Sequence, residues 1–202
     1  MIQKVGQKTV YLVRHGHVQM PDNRKYYLGR TDVLLSAEGK RQAEWLQRFF
    51  QDKDIQIIYH SPLKRCMETA QILSEGRISC VSVPELMEID MGSWEMLPME
   101  QVKTQYPEMY QLRGELIDTF CPPGGESFKQ CQERTIDAFQ ELVNGLDENQ
   151  SVVVVAHAGV NRCILSWLKN QSLKELLTIP QPYACITKLE LRNERWTIKE
   201  DI

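Results

Sequence analysis

The chain reads as an α/β protein, a three-layer α/β/α sandwich around a mostly parallel central sheet. Three observations lead there. Short apolar runs rich in β-branched residues alternate with longer segments of helical periodicity. One run, Ser151-Val152-Val153-Val154-Val155-Ala156, has no in/out alternation, as expected of a central strand covered on both faces. Three polar clusters each follow directly on an apolar run, at the strand ends where open α/β sheets bind their ligands.

In chain order, strands are expected at Val10–Val13, Ile55–Tyr59, Ser79–Val83 and Ser151–Ala156, with an antiparallel edge hairpin of Ile186–Leu191 and Arg195–Ile198 turning at Asn193-Glu194. Ser36 is placed to cap a helix whose Ala43, Leu46, Phe49 and Phe50 share one face. Ser61-Pro62 sets a cap residue before a proline at the first helical position and opens a helix to about Leu73. Ser127 is placed to cap a third, with Phe128, Cys131, Thr135, Phe139, Leu142 and Leu146 as its buried stripe, and a fourth begins near Gly159 and runs to about Lys169. Residues 90–125, rich in Met, Pro, Gly and aromatic side chains, are less regular and read as a lid over the sheet. No repeat or linker divides the chain, so residues 1–202 are expected to form one domain.

The 202 residues, 42% hydrophobic and 25% charged, suffice for one sizeable core. No stretch reaches the length of a membrane-spanning helix and the start lacks an apolar leader, so the expected location is cytoplasmic, with no membrane partner. A net charge of -3 gives no global footprint for nucleic acid. Six cysteines without Cys-x-x-Cys spacing are expected to be buried free thiols, with Cys66 and Cys163 close to the polar clusters. Trp45, Trp94, Trp167 and Trp196 are expected in the core.

The polar clusters are Arg14-His15, His60-Ser61-Pro62-Leu63-Lys64-Arg65, and His157-Ala158-Gly159-Val160-Asn161-Arg162. In a parallel sheet all three reach the same carboxyl edge, and the last two also open helices whose free N–H groups favour anions. A guanidinium beside an imidazole repels a metal cation and suits a phosphate dianion. Arg14, Arg65, His157 and nearby backbone donors such as Gly159 would hold the phosphoryl oxygens, leaving His15 free to attack. The attacking ring must be neutral, which neighbouring arginines favour by like-charge repulsion. A bond from its other nitrogen to a backbone carbonyl would fix the tautomer. The departing alkoxide needs a proton, and the later water needs a base. Glu88 is the best-placed carboxyl for both, with Glu85, Asp90 and Glu95 as rivals.

Here the residues resemble a known family. Leu12-Val13-Arg14-His15-Gly16, Ser61-Pro62-Leu63-Lys64-Arg65-Cys66 with Thr69-Ala70, Leu86-Met87-Glu88 with Gly92 and Trp94-Glu95, and Val155-Ala156-His157-Ala158-Gly159 are similar, in order, to the motifs of the histidine phosphatase superfamily, the phosphoglycerate mutase-like fold. Asp32, Leu35-Ser36, Gly39 and Gln42-Ala43 also fit its usual stretch between the first two. The resemblance implies a phosphohistidine enzyme without cofactor or metal, with His15 as nucleophile, Arg14, Arg65 and His157 binding phosphate, and Glu88 as proton donor. A homodimer is implied by the resemblance alone.

Pro122–Ser127 and Gly159–Leu165 look most like the branch containing α-ribazole phosphatase, which implies α-ribazole 5′-phosphate, a small phosphorylated metabolite of cobalamin assembly, as substrate. Similar stretches also occur in members of unknown substrate. Two departures bear on the leaving group: His17 stands where Glu or Thr is common, and the usual nearby asparagine is displaced, with Pro21 in its place and Asn23 close by. The loop Val18–Gly29, with Arg24, Lys25, Tyr26 and Tyr27, is expected to line the pocket mouth, which makes Asn23 and Gly29 candidate substrate contacts. A mutase would share the intermediate, but the known ones carry a longer insertion than Arg65 to Glu88 spans. A metal hydrolase built on His15-Gly-His17 with His60, His157 and Asp90 competes formally, and Arg14 and Arg65 argue against it. A non-catalytic phosphate-binding module is the remaining alternative.

Overall fold

Strand β4 (Ser151–Ala156) lies at the heart of a six-stranded sheet, which a computed structural model describes over residues 6–199. Its neighbours are β1 (Lys8–Arg14) on one side and β2 (Ile57–His60) on the other, both parallel to it. Beyond β2 comes β3 (Ser79–Ser82), also parallel. Beyond β1 come β5 (Ile186–Arg192), antiparallel to β1, and the edge strand β6 (Arg195–Lys199). The β5–β6 turn has positive φ at both Asn193 and Glu194, the twist a tight antiparallel hairpin requires.

The run of β-branched residues in β4 divides between two cores. Val152, Val154 and Ala156 face one layer with Val10 and Leu12, and Val153 and Val155 face the other with Tyr11 and Val13. The first layer holds α5 (Phe128–Asn144) against α6 (Ala158–Leu168), and the second holds α1 (Ala37–Phe50) against α2 (Lys64–Ser74). Ser36 caps α1 by accepting the Gly39 N–H, and Ser127 with Gln130 forms a reciprocal capping box at α5. Among the described residues no helix is long and apolar enough to cross a membrane.

Several expectations need correction. Helix α2 begins at Lys64, not at Pro62, because its first N–H is taken by the Asp32 carboxylate at 2.8 Å. Ser61 Oγ accepts the Leu63 N–H at 3.4 Å, one residue ahead of the helix, and keeps a second lone pair for another donor. The 90–125 segment contains α3 (Met99–Gln105) and α4 (Pro107–Glu115). It docks on the 18–29 loop through Tyr27 N–H to Leu97 O and Met99 N–H to Lys25 O. Of the four tryptophans only Trp94 is fully buried, while Trp45 and Trp167 are 43% and 37% exposed. All six cysteines are free, but Cys121 is exposed and the two beside the polar clusters, Cys66 and Cys163, are buried.

Leu46 and Phe139 anchor the two cores, one per layer, with almost no exposure. Leu46→Ala should lower stability by about 2–5 kcal/mol and Phe139→Ala by about 3–5 kcal/mol, through lost burial and the cavity left behind. Urea unfolding measures both, and a loss under about 1 kcal/mol at either site would contradict the two-core packing.

Candidate active site

Because β2, β4 and β1 are adjacent and parallel, their carboxyl ends deliver His60-Ser61, His157 and Arg14-His15 to one edge. The signature loop after β1 then turns sharply against α1. A Cβ on Gly16 would stand 2.5 Å from the Gly39 carbonyl oxygen, and one on Gly39 would stand 2.0 Å from that of His17. The Gly16 N–H is held by Thr69 Oγ1 and the His17 N–H by Gln42 Oε1.

His15 is buried, and its Nδ1 lies 2.8 Å from the Gly16 carbonyl oxygen. A carbonyl only accepts, so Nδ1 carries the proton and Nε2 keeps its lone pair. Burial, then the charges of Arg65 and Arg14, hold the His15 pKa well below its ordinary value. Arg14 donates to the Gln181 carbonyl and lies over the Tyr183 ring, 3.8 Å from its centre. Tyr183 also packs against His15 and His17.

Arg65 is 1% exposed. Its nitrogens donate to Gly29 O at 2.6 Å, to Thr31 O at 2.9 Å and to His157 Nδ1 at 3.2 Å. His157 Nδ1 therefore accepts, and its Nε2–H donates to Ser61 Oγ at 2.8 Å. Burial first, then Arg65, lowers its pKa as well. Its ring edge meets His15 with centroids 5.1 Å apart.

Glu88 is buried too, its carboxylate accepting the Ile89 N–H at 2.9 Å and the Gly159 N–H at 3.1 Å. A Cβ on Gly159 would come within 2.4 Å of Glu88 Oε1. Glycine there is the seat of the carboxylate. The Glu88 carbonyl is held in turn by Arg134 and Arg30, which Glu126 pairs. The rivals go elsewhere: Glu95 binds the Arg30 and Thr31 N–H groups, and Asp90 pairs with Arg30.

Arg14, His15, Arg65, Glu88 and Gly159 thus line one cavity of about 250 Å³. His157 stands just behind it, with both ring nitrogens occupied, and the Gly159 N–H is spent on Glu88. Gly29 is buried and touches Arg65 through its carbonyl. Asn23 is exposed and lines a neighbouring cavity of about 610 Å³ formed by the 18–28 loop. Tyr26, Leu28, Met99 and Tyr183 border both cavities. His17 bonds Ser36 and His60 bonds the Ser61 carbonyl. Among the described residues no three His, Cys, Asp or Glu side chains are grouped to hold a metal ion. Tyr183, Arg113 and Arg162 also line the inner cavity. Of these, only Arg162 fell within a sequence cluster. Tyr183, in the stretch before an antiparallel strand, carried no signal.

Residues 10–201 match the model of the histidine phosphatase superfamily, branch 1. The chain belongs to this family. It is 30% identical over 193 residues to the uncharacterised phosphatase PhoE of Bacillus subtilis, covering 95% of this chain and 93% of that one. It is also 30% identical over 189 residues to the human 6-phosphofructo-2-kinase/fructose-2,6-bisphosphatase 3, covering 92% of this chain and 34% of that protein. The chain thus spans about a third of the length of those bifunctional relatives. The α-ribazole phosphatase of Shigella flexneri superposes with a TM-score of 0.87 over 95% of each chain at 23% identity, which establishes the shared fold. As a member of the histidine phosphatase superfamily the chain has the phosphoglycerate mutase-like fold.

Two outcomes follow from this geometry. In the unfolded chain both imidazoles titrate near 6.5, so below that pH the unfolded state takes up more protons than the folded one and stability declines. NMR titration of His15 should find the ring still neutral at pH 6, and a midpoint at or above 6.5 would contradict the assigned environment. Gly159→Ala should cost kcat about 10²-fold by displacing Glu88, while the urea midpoint holds because alanine is the better helix former. Activity within threefold of wild type would contradict the seat.

Proposed function

We propose that this protein is a phosphatase, a metal-independent phosphomonoesterase acting through a phosphohistidine on a small phosphorylated metabolite. The observation that carries the reading is the His15 tautomer: a neutral ring with its Nδ1–H on Gly16 O and its Nε2 lone pair free, beside two guanidiniums and one carboxyl group.

In this reading Nε2 of His15 attacks phosphorus, the P–N bond forms and the P–O bond to the leaving group breaks. Arg14 and Arg65 bind the non-bridging oxygens, whose charge grows crowded in the transition state. His157 acts through Arg65 and against the His15 ring edge, and its Nε2–H is the donor a phosphoryl oxygen would take over from Ser61. Glu88 gives its carboxyl proton to the departing alkoxide, then removes a proton from the water that cleaves the P–N bond, releasing phosphate and restoring His15. The finer substrate reading, α-ribazole 5′-phosphate, is supported by the Pro122–Ser127 and Gly159–Leu165 motifs.

His15→Ala should abolish turnover in a folded protein, measured as phosphate release with excess chelator present. Near wild-type activity in a folded variant would remove the nucleophile. Glu88→Gln should slow alkyl phosphates far more than p-nitrophenyl phosphate, whose leaving group needs little protonation. Equal losses on both would assign the acid elsewhere.

A further inference from the structure

The described arginines outside the inner cavity that form ion pairs do so with nearby carboxylates: Arg24 with Asp22, Arg30 with Asp90 and Glu126, Arg41 with Glu38, Arg77 with Glu75, Arg134 with Glu126. Arg48, Arg192 and Arg195 have no ion pair among the described residues but are exposed to solvent, whereas the arginines of the cavity are at least half-buried and lie together. Four guanidiniums, Arg14, Arg65, Arg113 and Arg162, line it against the single carboxylate of Glu88. Arg14 and Arg65 suffice for one phosphoryl group, which leaves Arg113 and Arg162 to be explained.

Arg162 is half-buried and spends Nε on the Ile179 carbonyl at 2.9 Å, so its two terminal nitrogens remain available. Among the described residues it has no carboxylate within ion-pair distance, and burial and the Arg14 charge both lower its pKa. Arg113, on α4, lies 5.3 Å from the centre of the Tyr27 ring and likewise has no ion-pair partner among the described residues. A phosphate dianion and ionised Glu88 offset three of the four positive charges. Once Glu88 is protonated for its role as acid, two are left over.

The direction of this excess is set by the helix. Arg162 stands three residues after Gly159 on α6 and therefore shares its face, and Gly159 seats Glu88. Glu88 marks the side on which the leaving group departs. We propose that Arg162, assisted by Arg113, forms a second anion site that reads a carboxylate or second phosphate on the leaving group. This rests on the phosphomonoesterase reading above but competes with α-ribazole 5′-phosphate, which bears no second anion, and it names a different class of substrate: small phosphate esters bearing another anion. A guanidinium with two free parallel N–H groups suits either anion, through a forked pair of hydrogen bonds.

The test is kcat/KM on a matched series that differs only at the far carbon: propyl phosphate, 3-(phosphonooxy)propanoate and propane-1,3-diyl bisphosphate, with p-nitrophenyl phosphate and α-ribazole 5′-phosphate alongside. Wild type should favour at least one of the two doubly anionic esters over propyl phosphate by about tenfold or more, and which of them it favours tells carboxylate from phosphate. Arg162→Gln should bring that ratio close to one, and Arg162→Lys should restore part of it. A ratio near one in wild type, a ratio unmoved by Arg162→Gln, or α-ribazole 5′-phosphate far above both doubly anionic esters would overturn the second anion site, while p-nitrophenyl phosphate hydrolysis still upholds the phosphomonoesterase. No hydrolysis of any ester by folded wild type would overturn the phosphomonoesterase reading, and the site with it.

Discussion

A guanidinium buried as deeply as that of Arg65 is costly unless every donor is met, and the arrangement around it is what the rest of the site depends on. Its nitrogens reach a backbone carbonyl before Arg30, another at Thr31, and the ring of His157. One side chain thereby ties α2 to the loop after β1 and to the end of β4. Its charge also keeps the two imidazoles neutral, second only to burial itself. Phosphate chemistry uses the same property, since a fixed positive charge that cannot give up its proton offsets an incoming dianion while leaving the nucleophile's lone pair free.

Proton positions follow from this constraint along a chain of donors. Arg65 must donate to His157, so His157 must donate to Ser61. Ser61 can accept this bond beside the one from the Leu63 N–H, while Asp32, distant in sequence, takes the first N–H of α2. His15 is set independently by its own neighbour, the Gly16 carbonyl. Gly159 and the pairing of Arg30 and Arg134 with Glu126 hold Glu88 at its side chain and at its carbonyl. The carboxyl is thus fixed by an array separate from the one that fixes the imidazoles.

Much of this was legible in the chain. The unbroken run in β4 announced a strand between two cores, and three polar clusters after apolar runs announced one ligand edge, because a parallel sheet leaves them no other place. The bond from His15 to a carbonyl was required by the chemistry before it was seen. What escaped were interactions between residues far apart in sequence. The Asp32 cap on α2 has no local signature, and neither does Tyr183, delivered by the stretch before β5. Helix α4 buries none of its residues, so it carries no apolar stripe for periodicity to find. Trp45 and Trp167 lie on helix positions that face outward, where size and apolarity alone mislead. Gly159 was expected to face phosphate with its N–H, and instead makes room for Glu88.

The atom that receives the phosphoryl group decides the mechanism. Rapid quenching of the enzyme during turnover of a ³²P-labelled monoester, followed by peptide mapping and ³¹P NMR of the trapped species, reads this directly. An alkali-stable, acid-labile phosphoramidate on Nε2 of His15 is the result expected. Phosphate on any other residue, on Nδ1 of His15, or no covalent species during rapid turnover would contradict it.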